Sequence, residues 1–127
     1  MKRAELLKLL DELLQPQRFK DVAENGLQVE GADDVDTAAG PVVCGVTANR
    51  ALIEQAIAVR APAIVVHHGI VWGGGIKKLD GWLLQRVKLL ITHGISLFAY
   101  HLPLDADRKS TRLNSSHLDL SRMPSSA

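Results

Sequence analysis

A chain of 127 residues has the usual size of one domain, and 46% hydrophobic with 23% charged residues predicts a soluble globular protein rather than a disordered one. The formal net charge is only +1 and the basic residues do not cluster before the end of the chain, which disfavours nucleic acid as the main partner. No apolar run approaches the roughly 20 residues that span a bilayer, and acids interrupt the first leucines, unlike in a signal peptide. We therefore expect no membrane contact and a cytoplasmic location.

The first part of the chain predicts one helix and one short strand. Leucines recur at spacings of three and four along residues 6–14, which is typical of an amphipathic helix, and this helix should end near Gln15, before a proline. The motif NGLQVEG at 25–31 alternates apolar and polar residues as a strand does. The Asp-rich and Ala-rich segment 31–41 predicts an exposed loop.

Strand and helix patterns alternate through the rest of the first 106 residues. In order they predict a strand at 41–46, a helix at 47–61, a strand at 63–67, a helix at 81–93, and a strand within 96–105 that runs out into a loop. Either Thr47 or Asn49 can cap the first of these helices. Since strands joined by helices pair in parallel, the sequence predicts an α/β fold with a mostly parallel sheet flanked by helices.

Polar residues follow two of the predicted strands. His67 and His68 end a continuous apolar run, and Gly69 lets the backbone turn so that both imidazoles can reach one site. Asp105 follows the last strand and is a natural bridging oxygen donor, while His101 can either bind a metal or support a ligand through a hydrogen bond. The carboxyl ends of parallel strands share one edge, so these residues predict a metal site there. The residues alone also allow a purely structural, hydrogen-bonded histidine pair.

Several other residues are predicted to have structural roles. Cys44, the single cysteine, should be a small buried hydrophobe without a disulfide rather than a catalytic thiol. His93 should interact with the carboxyl end of a helix. Trp72 and Trp82 should pack against the sheet rather than cover a pocket. The glycines at 73–75 lack the spacing of a phosphate-binding loop.

The composition changes abruptly after residue 106. Residues 1–106 contain one serine, whereas residues 107–127 contain six. Segments 107–117 and 121–127 resemble the translation of a sequencing-library adapter. We therefore expect residues 1–106 to form the domain and residues 107–127 to be a non-native, disordered tail, with a natural Ser-rich terminus as the alternative.

Four motifs in a fixed order carry a resemblance to a known family. They are ENGLQVEG at 24–31, GVTANRALIEQAI at 45–57, VVHHGIVWGG at 65–74 and RVKLLITHGISLFAYHLPLD at 86–105. Together they resemble the GTP cyclohydrolase 1 type 2 homologues, also called Nif-three-like dinuclear metal-centre proteins. The resemblance runs through nearly all of residues 1–106.

The resemblance implies a metal centre and an assembly. It implies that His67, His68 and Asp105 bind two divalent ions, of zinc, iron, nickel or manganese, and that His101 begins an H-x-x-L-D pattern near the metals. Family members are considerably longer, form toroidal homo-hexamers, and complete the site with an H-x-x-x-E motif that is absent here. We therefore expect the amino-terminal half of a larger toroid-forming fold, which by itself binds metal weakly and is inactive.

The function that the resemblance implies is metal-dependent hydrolysis of a small nucleotide-like or heterocyclic substrate, since the family name refers to GTP ring opening. One alternative is a non-catalytic, metal-dependent assembly or regulatory protein. Another is a plain α/β fragment whose histidines are structural.

Overall fold

The computed structural model describes residues 1–106; the segment 107–127, predicted above to be a non-native tail, lies outside the described residues. The elements are helix α1 (Arg3–Leu14), a 3-10 turn (Pro16–Arg18), strand β1 (Gly26–Val29), strand β2 (Val43–Thr47), helix α2 (Arg50–Ala58), strand β3 (Ala63–His68), helix α3 (Gly81–Thr92), strand β4 (Ser96–Ala99) and helix α4 (Leu102–Ala106). Among these helices, none is both long enough and apolar enough to cross a membrane.

The four strands of this part of the chain form one mixed sheet in the order β1-β4-β3-β2. Strands β2, β3 and β4 pair in parallel, and β1 pairs with β4 in the antiparallel sense. Helix α2 connects β2 to β3, and helix α3 connects β3 to β4. The predicted mostly parallel sheet flanked by helices is therefore confirmed, and β3 and β4 lie at its centre.

The core has two layers, one on each face of the sheet. Successive residues of β4 alternate between them, so Leu97 lies in the cluster that includes α2 and α3 whereas Phe98 lies in the cluster against α1. Both side chains are fully buried. Burying a side chain of this size stabilises the fold by roughly 1.5–3 kcal/mol. Because both faces are covered, the central strands are apolar apart from the buried Ser96 at the start of β4 and the two histidines at the end of β3.

The predicted helix boundaries agree with the structure at two sites. Helix α1 stops at Gln15, which adopts a left-handed conformation with φ of 49°. Asn49, rather than Thr47, caps α2, because its side-chain oxygen accepts a hydrogen bond of 2.9 Å from the Leu52 N–H. The loop predicted after the last strand is wrong: a short helix begins there, at Leu102.

Helix α4 has a physical explanation that the sequence pattern did not reveal. Its first backbone N–H, at Leu102, donates to the carboxylate of Asp21 over 2.8 Å. Pro103 occupies the second position of the helix, where its missing N–H is no loss. A helical hydrogen bond of 3.2 Å then runs from the Asp105 N–H to the His101 carbonyl. Asp105 therefore projects from a helix rather than from a loop.

Two of the structural roles predicted for single residues are confirmed. Cys44 is 8% exposed, and burial raises the pKa of its thiol to about 12. His93 lies at the carboxyl end of α3, where its Nδ1 donates a hydrogen bond of 3.0 Å to the Leu89 carbonyl. Neither residue belongs to the group of histidines described next.

Candidate metal centre

Strand β3 brings His67 and His68 to the carboxyl edge of the parallel strands. The strand ends at His68, and the two ring centroids lie 4.4 Å apart. On the neighbouring strand Thr47 pairs with His68, and its Oγ1 lies 3.4 Å from the His68 Nδ1. The two histidines therefore meet at the end of the strand, as the sequence predicted.

The turn after the histidine pair is held by Gln28 of the NGLQV motif. Its side-chain oxygen accepts hydrogen bonds from the backbone N–H groups of Ile70 (2.8 Å) and Val71 (3.1 Å). A Cβ atom on Gly69 would collide with this amide and would lie 2.7 Å from the Cβ of Ala99. Only glycine fits between these neighbours, so Gly69 and Gln28 together determine where the chain leaves the site.

His101 completes a group of three histidines. Its ring centroid lies 4.7 Å from that of His67 and 5.4 Å from that of His68. One nitrogen from each of the three rings lies within 4.8 Å of the other two. All three residues are partly buried. His101, which the sequence assigned either to ligation or to support, thus lies beside the histidine pair.

The Asp105 carboxylate contacts this group of histidines at His67. The Asp105 Oδ1 lies 3.0 Å from the His67 Nε2, and the Asp105 side chain is 49% exposed. The His67 Nε2 is buried and, although the Asp105 Oδ1 is near, it makes no hydrogen bond to any of the described residues. A buried nitrogen without a partner costs about 1–3 kcal/mol, which a bound cation would offset. Three imidazoles and one carboxylate are a donor set that fits a divalent transition metal.

The electrostatic surroundings favour the neutral form of the His68 ring. Burial lowers the pKa of His68, and the neighbouring His67 and His101 lower it further, against the opposite effect of Asp105. Metal ligation requires a neutral ring, so a lowered pKa leaves more of the ligand form available at neutral pH.

A buried acid that sequence reasoning missed lies behind the group. Asp21 Oδ1 is 3.0 Å from the His101 Nδ1, and the Asp21 side chain is only 3% exposed. Burial alone would raise its pKa, but hydrogen bonds from the Leu102 and Ala23 N–H groups, Asn25 and His101 outweigh burial and hold the pKa well below its usual range. Asp21 lies in a polar loop with no periodic pattern, so no sequence pattern pointed to it.

The prediction that both tryptophans pack against the sheet is wrong. The Trp72 ring lies beside the histidines, 5.2 Å from the ring of His101 and 6.1 Å from that of His68. Trp82 is 61% exposed, and the Arg86 guanidinium lies 4.5 Å from its ring centroid. Residues four apart on a helix are neighbours, so this cation–π contact replaces packing against the sheet.

The sequence and fold were compared with known proteins. A family model described as Duf34/NIF3 (NGG1p interacting factor 3) matches residues 1–122. A Yersinia pestis protein named GTP cyclohydrolase 1 type 2 homolog is 46% identical over 106 residues, which are 84% of this chain and 41% of the relative. A Chlamydia trachomatis protein of the same name is 48% identical with the same coverage of both chains, 84% and 41%. The chain therefore spans about two fifths of the length of these curated relatives.

Solved structures agree with the sequence matches. A protein described as ybgI, of unknown function, has a TM-score of 0.76 and 42% identity, covering 84% of this chain and 41% of its own. A Thermus thermophilus protein has a TM-score of 0.75 and 39% identity, covering 83% of this chain and 42% of its own. The resemblance inferred from the four motifs is confirmed: this chain belongs to the Duf34/NIF3 family, which includes the GTP cyclohydrolase 1 type 2 homologues.

Proposed function

We propose that this chain supplies a divalent-metal site to a metal-dependent hydrolase that acts on a small nucleotide-like or heterocyclic substrate. The observation that carries the proposal is the buried His67 Nε2, which lacks a hydrogen-bond partner among the described residues and lies in a group of three histidine nitrogens within 4.8 Å of one another. The names of the curated relatives refer to GTP cyclohydrolase, and ring opening of a purine nucleotide is a hydrolysis.

The ligands that we assign are His67, His68 and Asp105, with His101 either as a further ligand or as a support for the others. A divalent ion, when bound, supplies Lewis acidity and makes water a stronger nucleophile at neutral pH. His67 and His101 have 18% and 20% of their side chains exposed. Asp105 is half exposed at the rim, with its Oδ1 3.0 Å from the His67 Nε2, so a water beside the ion would lie within reach of this carboxylate as a proton acceptor.

Solvent access favours catalysis over a purely structural metal site. Structural zinc sites are closed by four protein ligands, whereas catalytic sites combine three protein ligands with an open place for water. Because the Asp105 side chain is half exposed, solvent can enter beside the ion, as the second arrangement requires, whichever three of these four residues bind it. One histidine group cannot saturate two ions, so we expect this chain to bind one ion weakly. The remaining ligands of a dinuclear, hexameric protein would come from the part of the relatives that this chain does not cover.

The test uses a full-length relative together with this chain. Elemental analysis of the purified relative should find bound divalent metal, and the metal-loaded protein should turn over GTP or a related heterocycle. Substituting its counterpart of His68 with alanine should abolish turnover while circular dichroism shows an unchanged fold. Metal binding without turnover of any such compound would favour the assembly or regulatory alternative. Absence of metal binding in both proteins would leave the histidines with a structural role only and would refute the proposal.

A further inference from the structure

Asp21 is a buried carboxylate for which the proposed chemistry has no direct use. Burial of a carboxylate costs free energy unless hydrogen bonds compensate for it. Four donors converge on Asp21. They are the backbone N–H groups of Ala23 (3.1 Å) and Leu102 (2.8 Å), the Asn25 Nδ2 (3.2 Å) and the His101 Nδ1 (3.0 Å).

These partners determine which nitrogen of His101 carries the proton. The backbone N–H groups and the Asn25 Nδ2 can only donate, so Asp21 acts as an ionised acceptor with no proton of its own. The His101 Nδ1 must then donate to Asp21 and carries the hydrogen. A neutral imidazole has a single N–H, so the lone pair is on the Nε2, which becomes the nitrogen available to the group with His67 and His68.

The same loop also fixes the backbone that carries Asp105. The Asn25 Oδ1 accepts a hydrogen bond of 2.7 Å from the His101 N–H, and Asp21 accepts the bond from Leu102 with which helix α4 begins. One turn later the Asp105 N–H donates to the His101 carbonyl. The ring of His101 and the helix that carries Asp105 are therefore anchored to one buried acid.

We propose that Asp21 is a positioning residue of the metal centre, which holds His101 as the Nδ1–H tautomer and sets the start of the helix that carries Asp105. In this role it does not touch the ion. A carboxylate that orients a ligating histidine and raises its basicity is a common supporting arrangement at metal sites. The inference rests on the proposed function for its purpose, but the tautomer is a property of the metal-free chain.

The first test is therefore made without metal. In the 127-residue chain labelled with ¹⁵N at histidine, long-range proton–nitrogen correlation spectra identify the protonated ring nitrogen. We expect His101 to show a protonated Nδ1, and we expect Asp21→Asn to shift it toward the other tautomer, because one amide oxygen cannot serve four donors. A protonated Nε2 in the wild-type chain would overturn the proposal, and this result does not depend on whether the variant folds. A variant that folds and keeps the wild-type tautomer would also overturn it.

The second test measures zinc affinity and uses Asp11→Asn as the matched control. Asp11 is also a carboxylate with a buried partner, but that partner is the Tyr100 hydroxyl, at 2.7 Å. We expect Asp21→Asn to weaken zinc binding about 10–100-fold, and Asp11→Asn to leave zinc affinity and the His101 tautomer unchanged. Equal losses in the two variants would reduce Asp21 to a general contributor to stability and contradict the proposal. If the wild-type chain shows the predicted tautomer but binds no zinc, the result would support the role of Asp21 and refute the metal site.

Discussion

The side-chain oxygen of Gln28 occupies the space that a Cβ atom on Gly69 would need. Gln28 is on β1, an edge strand, and Gly69 directly follows the histidine pair at the end of β3. Since β4 lies between these two strands, the contact connects the edge of the sheet to the exit of its central strand. It links the NGLQV and HHG motifs physically.

Gly69→Ala should destabilise the fold much more than Gly74→Ala. The added methyl group at residue 69 meets the Gln28 amide and the Cβ of Ala99, whereas at residue 74 its nearest neighbour is the end of the Lys77 side chain at 4.0 Å. We expect a loss of about 1–3 kcal/mol for the first variant and less than about 0.5 kcal/mol for the second. Urea unfolding of the two variants measures the difference. Equal midpoints would show that the turn tolerates a side chain.

Gln28→Ala should free two backbone amides. The N–H groups of Ile70 and Val71 lose their acceptor, which costs about 1–3 kcal/mol if no other partner replaces it. Hydrogen exchange at these two amides should accelerate, as measured by nuclear magnetic resonance. Gln28→Glu is the partial control: it keeps an oxygen acceptor of the same reach but loses the Nε2 that donates to the Glu24 and Val71 carbonyls, so it should retain only part of the protection. Unchanged exchange in the alanine variant would mean that Gln28 does not hold the turn.

Tyr100, the single tyrosine of the chain, should resist ionisation. Burial, followed by the hydrogen bond to Asp11 and the charge of that carboxylate, raises its pKa well above the usual value. The raised pKa leaves stability unaffected below pH of about 10, and stability then falls as pH rises because only the unfolded chain loses the proton. Tyrosinate absorbance should therefore appear together with loss of the circular dichroism signal. Ionisation at an ordinary pH in the folded chain would contradict the buried hydrogen bond.

Tyr100→Phe provides a separate check on the same contact. It removes the hydroxyl that donates to Asp11 over 2.7 Å and should lower the free energy of unfolding by about 1 kcal/mol, since Asp11 is partly exposed and regains water. In the Asp11→Asn background the same substitution should cost less. Additive losses in the double variant would indicate that the two side chains do not interact.

Cys44 should react slowly with thiol reagents. Burial raises the pKa of its thiol to about 12, so very little thiolate is present at neutral pH, and the side chain is 8% exposed. As Cys44 is the single cysteine, a colorimetric thiol assay reports on it alone. The reaction should accelerate sharply on adding denaturant. Rapid labelling of the native chain would show that β2 opens readily.

Much of the fold could be predicted from apolar patterns. The leucine spacing of α1 indicates a helix buried on one face, and the continuous apolar run of β3 indicates a strand buried on both faces. Such periodic patterns arise from burial, so they can be recognised in the sequence. Helix α4 escaped prediction because it spans five residues, Leu102–Ala106, and starts on a bond from a residue distant in sequence. A short element that is held in place by tertiary contacts shows no hydrophobic periodicity in the sequence.

The candidate site was only partly predictable for a related reason. His67, His68 and Asp105 could be proposed because each follows an apolar strand and has ligand chemistry. Gln28 and Asp21 act on the site through hydrogen bonds across 42 and 80 residues of sequence, and polar residues in ordinary loops and edge strands carry no such signal. The position of Trp72 could not be predicted because the local sequence is the same in both cases. An aromatic residue shortly after the turn at Gly69 can pack against the sheet or lie beside the histidines.

The most direct test of the metal site is a zinc titration of the 127-residue chain followed through the ring nitrogens of its five histidines. Weak binding does not prevent this measurement, because each ring reports separately. We predict that the signals of His67, His68 and His101 shift together at the same zinc concentration. His93, whose Nδ1 donates to the Leu89 carbonyl, should remain unchanged as an internal control. If zinc shifts His93 first, or shifts the three rings at unrelated concentrations, these histidines do not form a metal site.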